Sequence, residues 1–259
     1  MNRALIVIPA RWSSSRFPGK PLVSITGIPM LQRVWNIAKS VGQIEKVVIA
    51  TDSSEIANFC LQIGAEFVIT SASCLTGSDR VLEAVKILNA NQDIIFSFQG
   101  DAVLLPPWIV EGLIDHMSED KKIQIATPAI KLEGESLKNF IDAKNRGSSS
   151  GTCVTFDSKG DALYFSKSLI PYSRKQEHEV YRHLGLYAYR KEALESFAAL
   201  KQGHFEKIEQ LEQLRILESG GKIRVVVSEL RGRTLHSVDN PEDVAIVEAI
   251  IEREGELCR

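Results

Sequence analysis

The sequence predicts an α/β fold: a mostly parallel sheet with a β-rich and helical insertion in its second half. Three observations carry this. Ala4–Ile8 is a continuous apolar run, as a strand covered on both faces requires. Further apolar runs alternate with amphipathic stretches as far as Gly100, over short connections that suit right-handed β-α-β crossovers. After Pro106-Pro107 the alternation gives way to polar segments and hairpin signals.

The first run ends in a loop, Pro9 to Lys20. Pro9 and Pro18 have no N–H for a ladder, so the chain is expected to leave the sheet between them. The loop holds Arg11, Arg16 and Lys20 with Gly19 and three serines. Three cations in a short loop at the carboxyl end of a first strand suit a phosphorylated ligand. A solvated loop with ordinary surface charges is the alternative. Leu22–Met30 reads as a short extended piece and a turn, with Pro29 suited to a first helical turn. Met30, Leu31, Val34, Trp35, Ile37 and Ala38 give the following helix its apolar stripe. Lys46–Thr51 is a second strand, followed by Asp52-Ser53-Ser54-Glu55, a helix start with carboxylates in its first turn. Ile56, Ala57, Phe59, Cys60 and Ile63 form the buried face of that helix, and Gly64 stops it.

Glu66–Thr70 is a third strand, and a helix over Ser78–Ala90 turns Val81, Leu82, Val85 and Leu88 inward. Asp93–Phe98 is a fourth strand, ending in Gln99-Gly100-Asp101. A helix over Trp108–Met117 then precedes a strand over Ile123–Ile130. Glu133–Gly151 is polar and ends in serines and glycine, which reads as a loop or mobile segment. Thr152–Asp157 and Ala162–Ser166 read as a hairpin through Ser158-Lys159-Gly160-Asp161. Tyr181–Tyr189 is expected as one strand, Lys191–Ser219 as a helical stretch, Lys222–Ser228 as a strand and Pro241–Arg253 as a closing helix. There is no internal repeat or long linker, so the second half reads as an insertion and lid on one α/β domain.

The 259 residues are 44% hydrophobic and 25% charged, with a net charge of -2. That balance supplies no basic field for nucleic acid. The N-terminus lacks a signal-peptide pattern, and no stretch approaches the roughly 18 apolar residues of a membrane span. Cys60, Cys74, Cys153 and Cys258 are far apart, which favours reduced thiols and a cytoplasmic location over disulfides or zinc.

The first loop, Pro9-Ala10-Arg11 through Ser14 and Arg16 to Pro18-Gly19-Lys20, resembles the nucleotide-binding loop of sugar-nucleotide cytidylyltransferases. The pattern is most similar to the 3-deoxy-manno-octulosonate (Kdo) cytidylyltransferase family, and the resemblance runs over most of the chain. It implies a Rossmann-like nucleotidyltransferase sheet over residues 1–107, an acceptor-binding and dimerisation region over 108–228, and a metal aspartate with a closing helix over 229–259. It implies transfer of CMP from CTP to an acidic sugar with release of pyrophosphate, for lipopolysaccharide or surface polysaccharide, by a magnesium-dependent homodimer. Ala10, Arg11, Arg16 and Lys20 would hold the triphosphate, with Lys20, Arg11 and Asp101 catalytic.

The Ala50-Thr51-Asp52 turn resembles the family's A-T-D, with Thr51 and Asp52 facing the nucleotide. Leu75 to Arg80 resembles its S-G-T-D-R, with Ser78 and Arg80 against the cytosine; Ser78 or Asp79 could equally cap a helix. Gln99-Gly100-Asp101 and Val238-Asp239-Asn240-Pro241-Glu242-Asp243 resemble the two metal motifs, so Asp101 and Asp239 would ligate magnesium and Gln99 would face the nucleotide. Without the resemblance, Asp239 would be read as a helix cap. Segments 162–171, 182–187 and 211–215 resemble those around the sugar, placing Lys167, His183, Tyr187, Glu212 and Gln213 on the acceptor. Read alone, His183 is a structural hydrogen-bonder and Glu212 and Gln213 flank a core stripe.

Three positions depart from the pattern. Ala102 replaces a Glu beside the metal site, Lys167 replaces an Arg and loses its bidentate fork, and Cys153 stands about where a Lys is usual. All three fall near the expected acceptor side. They leave open a different ulosonic acid as acceptor, or a non-catalytic relative that binds CTP or a CMP-sugar. A sugar-phosphate or alditol-phosphate nucleotidyltransferase is a further alternative.

Overall fold

In the computed structural model, the first apolar run forms β1 (Ala4–Ala10), and Ala4 to Ile8 are wholly buried. Each large aliphatic side chain there contributes about 1.5–3 kcal/mol by leaving water. The structure describes residues 3–12, 17–74, 76–174 and 179–258. The chain divides into two units, Met1–Ile114 with Leu230–Arg259, and Asp115–Glu229.

In the first unit, β1 leads through a 3-10 turn at Lys20–Leu22 to a small hairpin, β2 (Ser24–Ile25) and β3 (Ile28–Pro29). The chain continues as α1 (Met30–Ser40), β4 (Ile44–Thr51), α2 (Ser54–Ile63), β5 (Phe67–Ile69), α3 (Gly77–Ile87), β6 (Ile94–Ser97) and α4 (Pro107–Glu119), whose residues from Asp115 on belong to the second unit. The strand order is β5-β4-β1-β6, with every pairing parallel. Pro9 is a correction to the sequence reading: it lies inside β1, opposite Ala50 of β4. The β1–β6 register ends at Val7 and Ser97, so Pro9 sits where one flank has stopped pairing and its missing N–H costs little. The helix signals hold locally. Ser53 accepts from Ile56 N at α2, and Gly64 closes that helix at φ 68°.

The second unit contains β7 (Ile125–Lys131), α5 (Gly134–Asn145), β8 (Thr152–Phe156), β9 (Ala162–Ser166), β10 (Tyr181–His183), β11 (Tyr187–Tyr189), α6 (Lys191–Ala199), α7 (His204–Glu209), α8 (Leu214–Glu218) and β12 (Arg224–Val227). β7 is central here. Ala129 pairs with His183 of β10 and Val227 of β12, so these strands take opposite edges of β7. β12 runs parallel to β7; β10 and β11 run antiparallel to it, β8 joins β10, and β9 joins β8.

Three expectations are corrected here. Glu133–Gly151 is largely a helix, α5, because Leu137, Phe140 and Ile141 recur at helical spacing within a polar stretch. Tyr181–Tyr189 is two strands. Leu184 N donates to Pro128 O, and the Thr127 hydroxyl serves Leu186 O at 2.7 Å, so a side chain replaces the ladder at the break. Lys191–Ser219 is three helices, parted at Gly203, which caps α7, and at Gln210, with φ 55°.

Leu230 returns to the first unit and ends in α9 (Glu242–Glu254). Arg33 is nearly buried, donates to Ile25 O at 2.7 Å and pairs with Glu256. Thr26 N donates to Glu248 at 2.8 Å. These ties seat the C-terminal segment, and with it Asp239, on the first unit. No helix among the described residues is long and apolar enough to cross a membrane, and all four cysteines are free thiols.

Candidate active site

Because β1, β4 and β6 run parallel, the loops that follow them leave the sheet at one edge, where α/β sheets bind ligands. Ala10 ends β1 opposite Thr51. Gly19 adopts φ 71°, open to glycine at little cost, and donates its N–H to Trp12 O at 3.2 Å. That bond sets Gly19 beside Trp12, and Lys20 follows directly. Arg16 lies outside the described residues.

Lys20 is where distant segments converge. Its Nζ lies 2.8 Å from Asp101 Oδ2 and 3.7 Å from Asp239 Oδ1. Two carboxylates within reach of one ammonium leave a net negative point of hard oxygens. Magnesium is commonly held by one or two carboxylates together with phosphate oxygens and waters. The pair fits that habit, and no group of three or more His, Cys, Asp or Glu suited to a metal occurs among the described residues.

Each carboxylate is held in place by its own turn. A Cβ on Gly100 would stand 3.1 Å from the Pro9 carbonyl oxygen, so glycine lets the Gln99–Ala102 turn tuck against β1. Asp243 organises the other turn, since its Oδ2 accepts from Asp239 N and Asn240 N, both at 2.8 Å, and its Oδ1 meets His236 Nε2 at 2.9 Å. Burial pulls the Asp243 carboxyl upward, but the His236 and backbone bonds outweigh it and hold it below the ordinary carboxylate range. The Asp239 carboxylate faces Lys20 through Oδ1, while its Oδ2 accepts from Ser237 Oγ at 3.4 Å. Asp243 was not singled out from the sequence; its position three residues after Asn240 at a helix start was the available signal.

Around the nucleotide motifs, Arg11 Nη2 donates to Cys74 O at 2.8 Å, bracing the turn before α3. Thr76 and Asp79 form a capping box there, with bonds of 3.1 and 3.0 Å, so Thr76 is the N-cap and Asp79, at the third helical position, its partner. Ser78 is buried in the same first turn, and Gln99 Nε2 lies beside Gly77. Thr51 is buried and accepts from Ser53 N. Arg80 is 0% exposed: it reaches Thr70 Oγ1 at 2.5 Å and Asp52 Oδ2 at 2.8 Å, and its Nε makes no hydrogen bond among the described residues. It therefore acts as an internal brace that sets the Asp52 carboxylate.

The second unit gathers the residues singled out for the acceptor. His183 is 8% exposed and its Nε2 lies 2.8 Å from Thr127 Oγ1. The single Thr127 hydroxyl proton goes to the Leu186 carbonyl, so His183 Nε2 carries the proton of this bond and Nδ1 is left as an acceptor. Burial, then the Lys167 charge, push the imidazole down to about 3, so it is a neutral hydrogen-bonding group at ordinary pH. Its ring contacts those of Phe165 and Tyr187, with centroids 5.0 and 5.4 Å apart. The Tyr187 hydroxyl is buried near Thr127 and has no partner at hydrogen-bonding geometry among the described residues. Burial raises this phenol well above its usual value, and the negative charge of Glu212 adds to the effect.

Gln213 is 5% exposed, and its Nε2 is likewise without a partner. A buried polar atom left unpaired costs about 1–3 kcal/mol, so the Tyr187 hydroxyl, beside His183, and the Gln213 amide are both open to a polar partner. The Glu206–Arg215 ion pair, at 2.7 and 2.5 Å, ties α7 to the α8 turn that carries Glu212 and Gln213. Lys167 follows β9, with its N–H held by Glu209 at 2.7 Å. Of the three departures, Cys153 is 0% exposed, and burial raises its thiol pKa; it is a core residue and presents nothing to a ligand. Thr127 and Glu209 carry no motif signal, since their roles arise across the sheet.

Residues 5–223 match the family model for cytidylyltransferase. The chain is 48% identical over 255 residues to the 3-deoxy-manno-octulosonate cytidylyltransferase of Maricaulis maris, covering 98% of each chain. It is 38% identical to the 8-amino-3,8-dideoxy-manno-octulosonate cytidylyltransferase of Shewanella pealeana, covering 96% of this chain and 98% of that one. Among solved structures it is similar to CMP:2-keto-3-deoxy-manno-octonic acid synthetase complexed with CTP, with a TM-score of 0.86 and 33% identity over 97% of this chain and 99% of that one. A family-wide match, near-complete coverage and the convergence of the two aspartates on Lys20 agree: the chain belongs to the cytidylyltransferase family, among the 3-deoxy-manno-octulosonate cytidylyltransferases.

Proposed function

We propose that the protein transfers CMP from CTP to a 3-deoxy-2-ulosonic acid, Kdo or a close variant of it, and releases pyrophosphate for lipopolysaccharide or surface-polysaccharide synthesis. The observation that carries this is the Lys20 ammonium set between Asp101 and Asp239 at the sheet edge where the first loop ends. Asp101 and Asp239 hold magnesium, which supplies charge neutralisation on the triphosphate when bound. Lys20, Arg11 and Arg16 bind the phosphates and stabilise the leaving pyrophosphate. Thr51, Asp52, Ser78 and Gln99 bind the nucleotide from the neighbouring turns, with Arg80 fixing Asp52 from beneath.

The acceptor's 2-hydroxyl attacks the α-phosphorus in line, the bond to the β-phosphate oxygen breaks, and the hydroxyl proton leaves to solvent. In the second unit, Lys167 offers the charge for the acceptor's carboxylate. His183, Tyr187, Glu212 and Gln213 offer hydrogen bonds to its hydroxyls, and the unpaired Tyr187 and Gln213 atoms support this reading. Use of CTP suits a cytoplasmic enzyme. A homodimer through the second unit is part of the same proposal, supported by exposed Leu163 on β9, the last strand of the sheet, and exposed Phe205 and Ile208 on α7.

The test is pyrophosphate release with CTP, magnesium and a panel of Kdo, 8-amino-Kdo and a nine-carbon sialic-type acid. Turnover of Kdo is expected at kcat/KM above roughly 10⁴ M⁻¹s⁻¹. Turnover of the 8-amino acid alone would move the assignment to that acceptor. Silence across the panel with CTP still bound would overturn the catalytic reading.

A further inference from the structure

The ε-ammonium of Lys144, in the last turn of α5, sits among four main-chain carbonyls. Nζ donates to Lys167 O at 2.5 Å, Gly151 O at 2.7 Å and Ser150 O at 2.8 Å, with Ser148 O at 3.4 Å. An ammonium has three protons, and the three short bonds use them all. The loop is pressed onto α5 from the other side as well. Gly151 has φ 72°, and a Cβ there would lie 2.7 Å from Phe140 Cε2, so only glycine lets the loop close.

The peptide groups of Lys167 are thus gripped twice by charge. Its carbonyl oxygen is held by the Lys144 cation, and its N–H donates to Glu209 Oε2 at 2.7 Å. Glu209 also accepts from Ser166 Oγ at 2.6 Å, fixing the preceding residue. Hydrogen bonds to charged groups are worth about twice neutral ones. Burial disfavours the charged Lys144, and the charges of Lys167 and Arg182 press on it, while Cys153 and Glu209 favour it.

We infer that Lys144 is a positioning residue for acceptor binding: its ammonium clamps Lys167 and the 148–151 loop in the arrangement that receives the acidic sugar. The inference rests on the reading of Lys167 as an acceptor-binding residue. Lys144 touches no substrate in this account. It acts through the backbone it holds.

The experiment compares Lys144→Met, Lys144→Arg and Lys167→Met with wild type. It measures KM for the acceptor and for CTP, and hydrogen exchange of the amides at 148–151 and 167–169. The acid is whichever of Kdo or 8-amino-Kdo the wild type turns over. No residue of α5 is buried, so the methionine variant leaves the core intact. Lys144→Met is expected to raise the acceptor KM about tenfold, leave the CTP KM within about twofold, and speed exchange in both segments. Lys144→Arg, which can still donate to carbonyls, is expected to recover most of the loss. A normal acceptor KM in Lys144→Met overturns the clamp, as does an equal rise in both KM values, which a merely structural role would produce. A normal acceptor KM in Lys167→Met removes the premise instead, so the two failures are distinguishable.

Discussion

Lowering the pH should destabilise this protein through His183 by an amount that can be worked out in advance. The ring is buried against Thr127, Phe165 and Tyr187, and its pKa falls from 6.5 to about 3 on folding. The folded state therefore keeps the ring neutral, while the unfolded chain takes up a proton below its own value. Stability from the neutral ring is fully present above the unfolded pKa and is lost as pH falls towards the folded one. Between pH 8 and pH 5 the unfolded state gains about RT ln(1 + 10^1.5), or about 2 kcal/mol, since the folded ring does not yet titrate. Urea unfolding of wild type and His183→Gln at both pH values isolates the effect, because the remaining histidines titrate in both proteins. The difference in unfolding free energy between pH 8 and pH 5 should be about 2 kcal/mol larger for wild type. Equal pH dependence in the two proteins would refute the argument that His183 is held neutral by burial.

Asp101→Asn should lower pyrophosphate release by about 10³-fold or more while the melting temperature stays within a few degrees, since the Asp101–Lys20 pair is partly exposed and worth at most about 1 kcal/mol. Unfolding of that variant, or normal turnover, would remove Asp101 from the chemistry. Asp243→Ala should cost about 10–100-fold in kcat/KM for CTP by freeing the Asp239 turn, whereas Asp243→Asn, which can still accept from Asp239 N and Asn240 N, should lose much less. Equal activity in the two variants would deny Asp243 its positioning part. Arg80→Met should destabilise the fold by about 3 kcal/mol, because Asp52 and Thr70 lose a fully buried partner; equilibrium urea unfolding measures this, and a change below about 1 kcal/mol would count against the brace.

The first unit was legible in the amino-acid order because its signals are local. Apolar runs, a capping serine and a stop glycine each act within a few residues, and β1, β4, α2 and α3 follow them closely. The misreadings have one cause, competition from contacts far along the chain. α5 hides in a polar stretch because its apolar face is only half covered. The break between β10 and β11 depends on Thr127, a residue of another strand. Pro9 could stay in β1 because β6 stops early beside it.

The same division runs through the site. The cations of the first loop suggested Lys20 from phosphate chemistry, and motif resemblance named Asp101 and Asp239. Motif resemblance also named His183, Tyr187, Glu212 and Gln213. What each side chain does was decided by tertiary structure alone. Arg80 became a buried brace and Asp243 the residue that holds the Asp239 turn, while Cys153 became core and Lys144 was drawn into a ring of carbonyls. Hydrogen bonds and burial act over a few ångströms of space, and the folded chain alone decides which distant residues come that close.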